Sequence, residues 1–241
     1  MYKIINKDEI KKINQYNWFR KFSNPCYGFN VKMDVTKLVA YSKKTNTIFF
    51  INTLYLICKA LNTIEEMRIR EVDGEIRIYD VINPAFTVML DIGIFENVGF
   101  EMIEEYQSFY DRAHEIIERV KKQKEVKKTY NDSNLYNDFY ITCIPWLSIE
   151  GMTHPLIDND YASLSCPRIC WDKFHQEGDK ILMTLNITVN HCFVDGYPLS
   201  LAFKKVQTYF DDVENLLKRW QFYFLLLSIY VLLVWGFLIR F

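Results

Sequence analysis

Ten residues do most to constrain this chain. In Ile181 to Asn190 (ILMTLNITVN), Ile181, Met183, Leu185, Ile187 and Val189 fall on one side of an extended backbone, and Leu182, Thr184, Asn186, Thr188 and Asn190 on the other. Side chains alternate faces along a strand, so the run predicts a β-strand with one apolar and one more polar face. It ends at His191. Helical spacing then takes over through Leu199, Leu201, Phe203, Val206, Tyr209, Phe210 and Leu216. A strand that feeds a helix through a short turn sets the pattern for the rest.

Upstream, residues 29–36 (FNVKMDVT) alternate as a half-buried strand, and Thr47 to Leu61 is an apolar run of helical length. Asp73-Gly74 between Met67–Arg70 and Ile76–Tyr79 marks a hairpin, because Asp-Gly tolerates the positive φ of a two-residue turn. Ala85 to Ile92 reads as another strand. From Phe100 to Lys128 apolar residues recur every three or four positions, which predicts a long amphipathic helix with a lysine-rich end. Residues 129–137 read as a polar loop. Interleaved strands and helices without repeats or a long linker predict one α/β (α+β) domain over 1–220, a two-layer sandwich of a mixed β-sheet and helices.

Composition bounds the function. With 29 Lys+Arg against 30 Asp+Glu, nothing in the bulk charge calls for a nucleic-acid partner. Half the residues are hydrophobic, and 5 Trp, 16 Tyr and 18 Phe supply enough aromatic surface for both a core and an apolar pocket. The first twelve residues alternate charged and apolar side chains and give no signal-peptide core, pointing to the cytoplasm. Six scattered cysteines in a chain of this size read as reduced thiols. The segment 221–241 stands apart. Phe222 to Ile239 has no charge and, at about 1.5 Å per residue, would make roughly 27 Å of helix, close to a bilayer's hydrocarbon thickness. A transmembrane tether, a buried terminal helix and an extension without a role are all compatible with it.

Among the four histidines, His191 stands out, followed by Asp195-Gly196 at the entry to a helix. An imidazole there can take a proton from a hydroxyl, with the aspartate organising the turn. A core histidine beside an ordinary Asp-Gly turn fits the spacing equally well. Cys166, Cys170 and His175 lack the second ligand pair of a zinc site, so no metal is expected.

The motif His191-x-x-x-Asp195-Gly196 resembles that of the chloramphenicol acetyltransferase family, which is related to the catalytic domain of dihydrolipoamide acyltransferases. In the family's order stand Trp18-Phe19-Arg20-Lys21, Val31–Thr36, Asp73-Gly74-Glu75 with Ile78-Tyr79-Asp80, and Ile144-Pro145-Trp146-Leu147-Ser148. The likeness spans residues 15–217. It implies a homotrimer with active sites at subunit interfaces and an acetyl-CoA-dependent O-acetyltransferase acting on chloramphenicol or a similar small hydroxylated acceptor. Acetyl-CoA would be a co-substrate, with no tightly bound cofactor.

On the same resemblance His191 is the general base, Ser148 the oxyanion donor, and Asp195 pairs with Arg20. Cys26, Tyr27, Phe95 and Phe139 border the acceptor, and Lys173 and Phe174 lie on the CoA side. The chain departs from the pattern at Asn190 (usually His), Cys170 (usually Thr), Ile149 (usually Phe) and Phe174 (usually Tyr), and is shorter between Lys21 and Cys26. Those departures keep open a different acceptor, or an idle, membrane-tethered trimeric binding module.

Overall fold

A computed structural model describes residues 1–126 and 136–218. The apolar segment 221–241, with its candidate tether, and most of the predicted 129–137 loop lie outside the described residues. No helix among the described residues is long and apolar enough to cross a membrane.

The chain opens with strand β1 (Tyr2–Ile5) and helix α1 (Ile13–Phe19), then β2 (Cys26–Asp34). Helices α2 (Thr36–Thr45) and α3 (Phe49–Asn62) follow. The predicted hairpin is β3 (Ile69–Val72) and β4 (Glu75–Tyr79), closed by Asp73 at φ +53° and Gly74 at φ +78°. After β5 (Asn83–Met89) and β6 (Phe95–Gly99) comes α4 (Tyr106–Lys121). The second half runs β7 (Asp138–Ile144), α5 (Tyr161–Leu164), β8 (Arg168–Asp172), β9 (His175–Glu177), β10 (Lys180–Asn190), α6 (Gly196–Asp211) and α7 (Val213–Leu216).

Two sheets form. The larger is mixed, in the order β2-β10-β8-β7-β5-β6 with β9 also on β10; β7 is parallel to β5 and β8, and the other pairs are antiparallel. The smaller is β1-β4-β3. Helix α3 is apolar almost all round because it packs against α2, α4 and α6. The helices cover the face that carries Met183, Leu185, Ile187 and Val189, all buried, together with Ile169, Trp171, Phe139 and Ile141. The opposite face presents Thr184, Asn186 and Thr188: Thr184 and Asn186 bond to the crossing segment 149–154, Asn186 also to β2, and Thr188 donates to Asn186 Oδ1. Thr184 Oγ1 donates to Ile149 O at 2.7 Å, and Asn186 Nδ2 to Asn30 Oδ1 at 2.8 Å. The alternation read from the sequence is thus the division between core and polar face.

The long helix starts later than its periodicity suggested. Glu105 accepts from the amides of Gln107 and Ser108 and so caps the N-terminus, leaving Phe100 and Ile103 to pack on the core from the preceding loop.

Candidate active site

His191 lies one residue past β10, where the chain leaves the sheet. Its amide donates to Pro25 O at 3.0 Å, and the amides of Phe193 and Val194 return to Asn190 O, forming a tight turn into α6. The imidazole is held on both faces: Phe19 stacks at 3.9 Å between centroids and 11° between planes, and Tyr27 at 4.4 Å and 29°. Tyr27 is fixed in turn, its hydroxyl donating to Val194 O at 3.1 Å. Burial first, and the nearby Asp195 charge second, push that phenol up to about 12, so it stays protonated at neutral pH. Gly28 allows β2 to lie this close, since a Cβ there would meet Ile187 O at 2.6 Å.

His191 Nδ1 is 3.1 Å from Asp195 Oδ1, one helical turn on, though the angle is not that of a formed hydrogen bond. With Nδ1 facing a carboxylate, Nε2 is the nitrogen left for a substrate hydroxyl. Around this histidine sit exposed rings: Trp18 and Phe22 pack on Phe19, and Phe29 on Tyr27. Phe19 and Phe22 were not singled out from the sequence. The Trp18-Phe19-Arg20-Lys21 block contains Phe19 and stops just short of Phe22, but only the fold turns α1 toward His191.

The expected Asp195–Arg20 pair does not form in the single chain. Arg20 Nε donates to both carboxylate oxygens of Glu71 at 3.0 and 3.1 Å, and the guanidinium lies over the Tyr161 ring. Glu71, on β3, is 4% exposed and also accepts from the Tyr16 hydroxyl at 3.0 Å. A buried carboxylate must be compensated, and it holds the arginine away from the turn. Asp195 meets Lys12 instead, Oδ1 to Nζ 2.9 Å.

Ser148 is elsewhere. Its Oγ donates to Asp172 Oδ2 at 3.2 Å and lies 3.0 Å from His175 Nδ1. Asp172, 2% exposed, also accepts the amides of Ile149 at 2.8 Å and Thr184 at 2.7 Å, locking the Ser148 turn to β10. Thr184 and His191 are seven residues apart on an extended strand, roughly 23 Å, so the Ser148 turn, tied to Thr184 through Asp172, and His191 lie toward opposite ends of β10. His175, considered earlier only as a metal ligand, is here a partner of Ser148 and lies 3.6 Å from Glu177.

Beside Ser148 opens a largely apolar cleft of about 510 Å³, bordered by Phe49, Phe50, Phe95, Trp146, Lys173 and Phe174 among others. Lys173 and Phe174 both line it, and Phe95 shares this cleft rather than standing with Tyr27. Two other expected acceptor contacts differ. Phe139 is fully buried, because the alternation of β7 sends it and Ile141 to the helix-covered side. Cys26 precedes Tyr27 on β2 and so faces the opposite way; its Sγ donates to Leu164 O, and burial pushes the thiol up to about 11.

The chain's sequence matches the profile of the family described as chloramphenicol acetyltransferase over residues 1–207. A chloramphenicol acetyltransferase of Proteus mirabilis is 26% identical over 219 residues, covering 87% of this chain and 94% of that protein. One from Campylobacter coli is 27% identical over 222 residues, covering 88% and 100%. A solved chloramphenicol acetyltransferase superposes with a TM-score of 0.80 at 24% identity, over 87% of this chain and all of that one. The dihydrolipoamide acetyltransferase of Azotobacter vinelandii shares the fold at a TM-score of 0.61 and 13% identity, over 85% and 88%.

Proposed function

Because this chain belongs to the chloramphenicol acetyltransferase family, we propose that it transfers acetyl from acetyl-CoA directly to a hydroxyl of chloramphenicol or a similar small acceptor, with His191 as general base. The observation that carries this reading is the imidazole clamped between Phe19 and Tyr27 with Nδ1 on Asp195. That arrangement fixes the ring and supports the Nδ1–H tautomer, leaving the Nε2 lone pair to accept a proton.

In this mechanism Nε2 removes the acceptor's hydroxyl proton as the oxygen attacks the thioester carbonyl. The tetrahedral oxyanion accepts a hydrogen bond from the Ser148 hydroxyl, a contribution of about 2.7–4 kcal/mol for such a donor. Collapse breaks the C–S bond, and the imidazolium returns the proton to the departing CoA thiolate. No acyl-enzyme forms, and acetyl-CoA enters and leaves as a co-substrate. The apolar acceptor rests against Tyr27 and its neighbouring exposed rings, while Lys173 and Phe174 border the seat of CoA in the adjoining cleft.

His191 and Ser148 at opposite ends of one strand cannot meet in one copy. The reading therefore includes a homotrimer in which His191 of one subunit faces Ser148 of the next; closed rotational symmetry makes three equivalent sites. The test mixes two inactive variants. Trimers refolded from equal amounts of His191→Ala and Ser148→Ala chains should regain about a quarter of the wild-type turnover of acetyl-CoA with chloramphenicol, since random closed assembly pairs an intact His191 with an intact Ser148 at that frequency. Mixed trimers that recover nothing would rule out the shared site. Thiol release that appears only with another alcohol would move the acceptor away from chloramphenicol.

A further inference from the structure

Two buried nitrogens converge on one carboxylate oxygen. Lys12 Nζ is 2.9 Å and His191 Nδ1 3.1 Å from Asp195 Oδ1, and among the described residues neither nitrogen has a hydrogen-bond partner. Lys12 comes from the segment just before α1, a stretch that the sequence reading did not connect with the site. Its side chain is 19% exposed, and its ammonium nitrogen is sealed from solvent. A buried ammonium without an opposite charge is costly, so Asp195 is what makes Lys12 tolerable there, and the converse holds in part for Asp195. The arginine that might have taken this place is committed to Glu71.

We propose that Lys12 is a positioning residue of the active site: its ammonium neutralises Asp195, holds the 191–195 turn, and so sets the field felt by His191. This rests on the reading of His191 as the base. The physical argument concerns charge. An uncompensated carboxylate beside Nδ1 would favour the imidazolium and so make His191 a poorer base at neutral pH. With Lys12 on the same oxygen, that pull is largely cancelled while the carboxylate still orients the ring. Other charges near the pair are balanced or distant from the ring. Glu71 is bound to Arg20, Tyr27 is a neutral phenol, and Cys192 is held protonated by burial, with Glu71 adding to the effect. On the far side, Glu9, Lys11, Glu65 and Glu66 line a cavity of about 370 Å³ shared with Lys12 and Asp195, a mixture of signs open to solvent.

The experiment compares Lys12→Met, Lys12→Arg and Lys11→Met in the full-length protein, following the His191 ring by NMR titration, with His191→Ala to assign its signals, and the pH profile of kcat/KM. Lys12→Met should move the His191 titration and the acid limb of kcat/KM together to higher pH. On the acid limb, well below the midpoint, each pH unit of movement should lower kcat/KM about tenfold, with a smaller loss at neutral pH. Lys12→Arg restores the charge and should restore both, and Lys11→Met, which removes a charge lining the same cavity and pairs with neither His191 nor Asp195, should leave the His191 titration in place. An unmoved titration in folded Lys12→Met, or an equal movement in Lys11→Met, overturns the proposal. If the titration moves while the acid limb does not, the assignment of His191 as base fails and the Lys12 pairing stands.

Discussion

The two ends of β10 are built on different principles. At the His191 end the functional group is gripped by aromatic faces and approached by one charge pair, and the surroundings are exposed rings. At the Thr184 end the Ser148 hydroxyl sits in a net of polar contacts, Asp172 binding it and two backbone amides, beside an apolar cleft. In the proposed mechanism the base needs a fixed ring with one free nitrogen, and the oxyanion donor a hydroxyl whose loop cannot move. Stacking supplies the first and a buried carboxylate the second. Neither end is a complete site, and the separation between them argues for a second copy of the chain.

The comparison can be broken most sharply at its chemical end. His191→Ala should lower kcat about ten-thousand-fold, the upper end for a general base, while circular dichroism and sedimentation remain those of the wild type; a loss below tenfold would remove His191 from the mechanism. Ser148→Ala should cost about a hundred- to thousandfold in kcat with little change in KM, as expected of a donor used only in the transition state. Equal effects on kcat and on acetyl-CoA binding would make Ser148 a cofactor contact instead.

Near His191, Arg20 separates stability from chemistry. Arg20→Ala strands the Glu71 carboxylate and should destabilise the fold by about 3–5 kcal/mol, the cost of breaking a buried pair, read as a lower midpoint in urea. Lysine at the same position should recover part of it. A midpoint unchanged in Arg20→Ala would mean that Glu71 is satisfied by Tyr16 alone.

The smallest effect is expected at the chain's end. Tyr41 donates its hydroxyl to Leu217 O, and Leu217 is fully buried, so the packed fold reaches this residue. Truncation after Lys218 should leave kcat/KM within about twofold of the full chain, a change of only about 0.4 kcal/mol. A larger loss would tie the apolar segment to the catalytic assembly.

Much of this was legible in the order of the residues. The strict alternation over 181–190 defined a strand and its core face, Asp73-Gly74 defined a turn by its backbone tolerance, and the motif from His191 to Gly196 marked the site. Less visible were the short strands β6, β8 and β9, which are only three to five residues long and give too few positions for a period. Phe139 was misjudged because an aromatic side chain serves core and pocket equally well, and only the side of β7 on which it falls distinguishes them. Cys26 and Tyr27 differ for the same reason.

By itself the sequence determined the longer elements, the family and the residues proposed to react, because periodicity, turn chemistry and motif spacing are local properties. Charge pairing was decided only by the tertiary structure. Lys12 and Arg20 stand at the two ends of α1, Glu71 on β3 and Asp195 at the start of α6, and which cation meets which carboxylate depends on where those segments converge and how deeply each carboxylate is buried. The structure also decided that His191 and Ser148 stand apart, since the length of an extended strand, not the spacing of its motifs, fixes the distance between what lies at its ends.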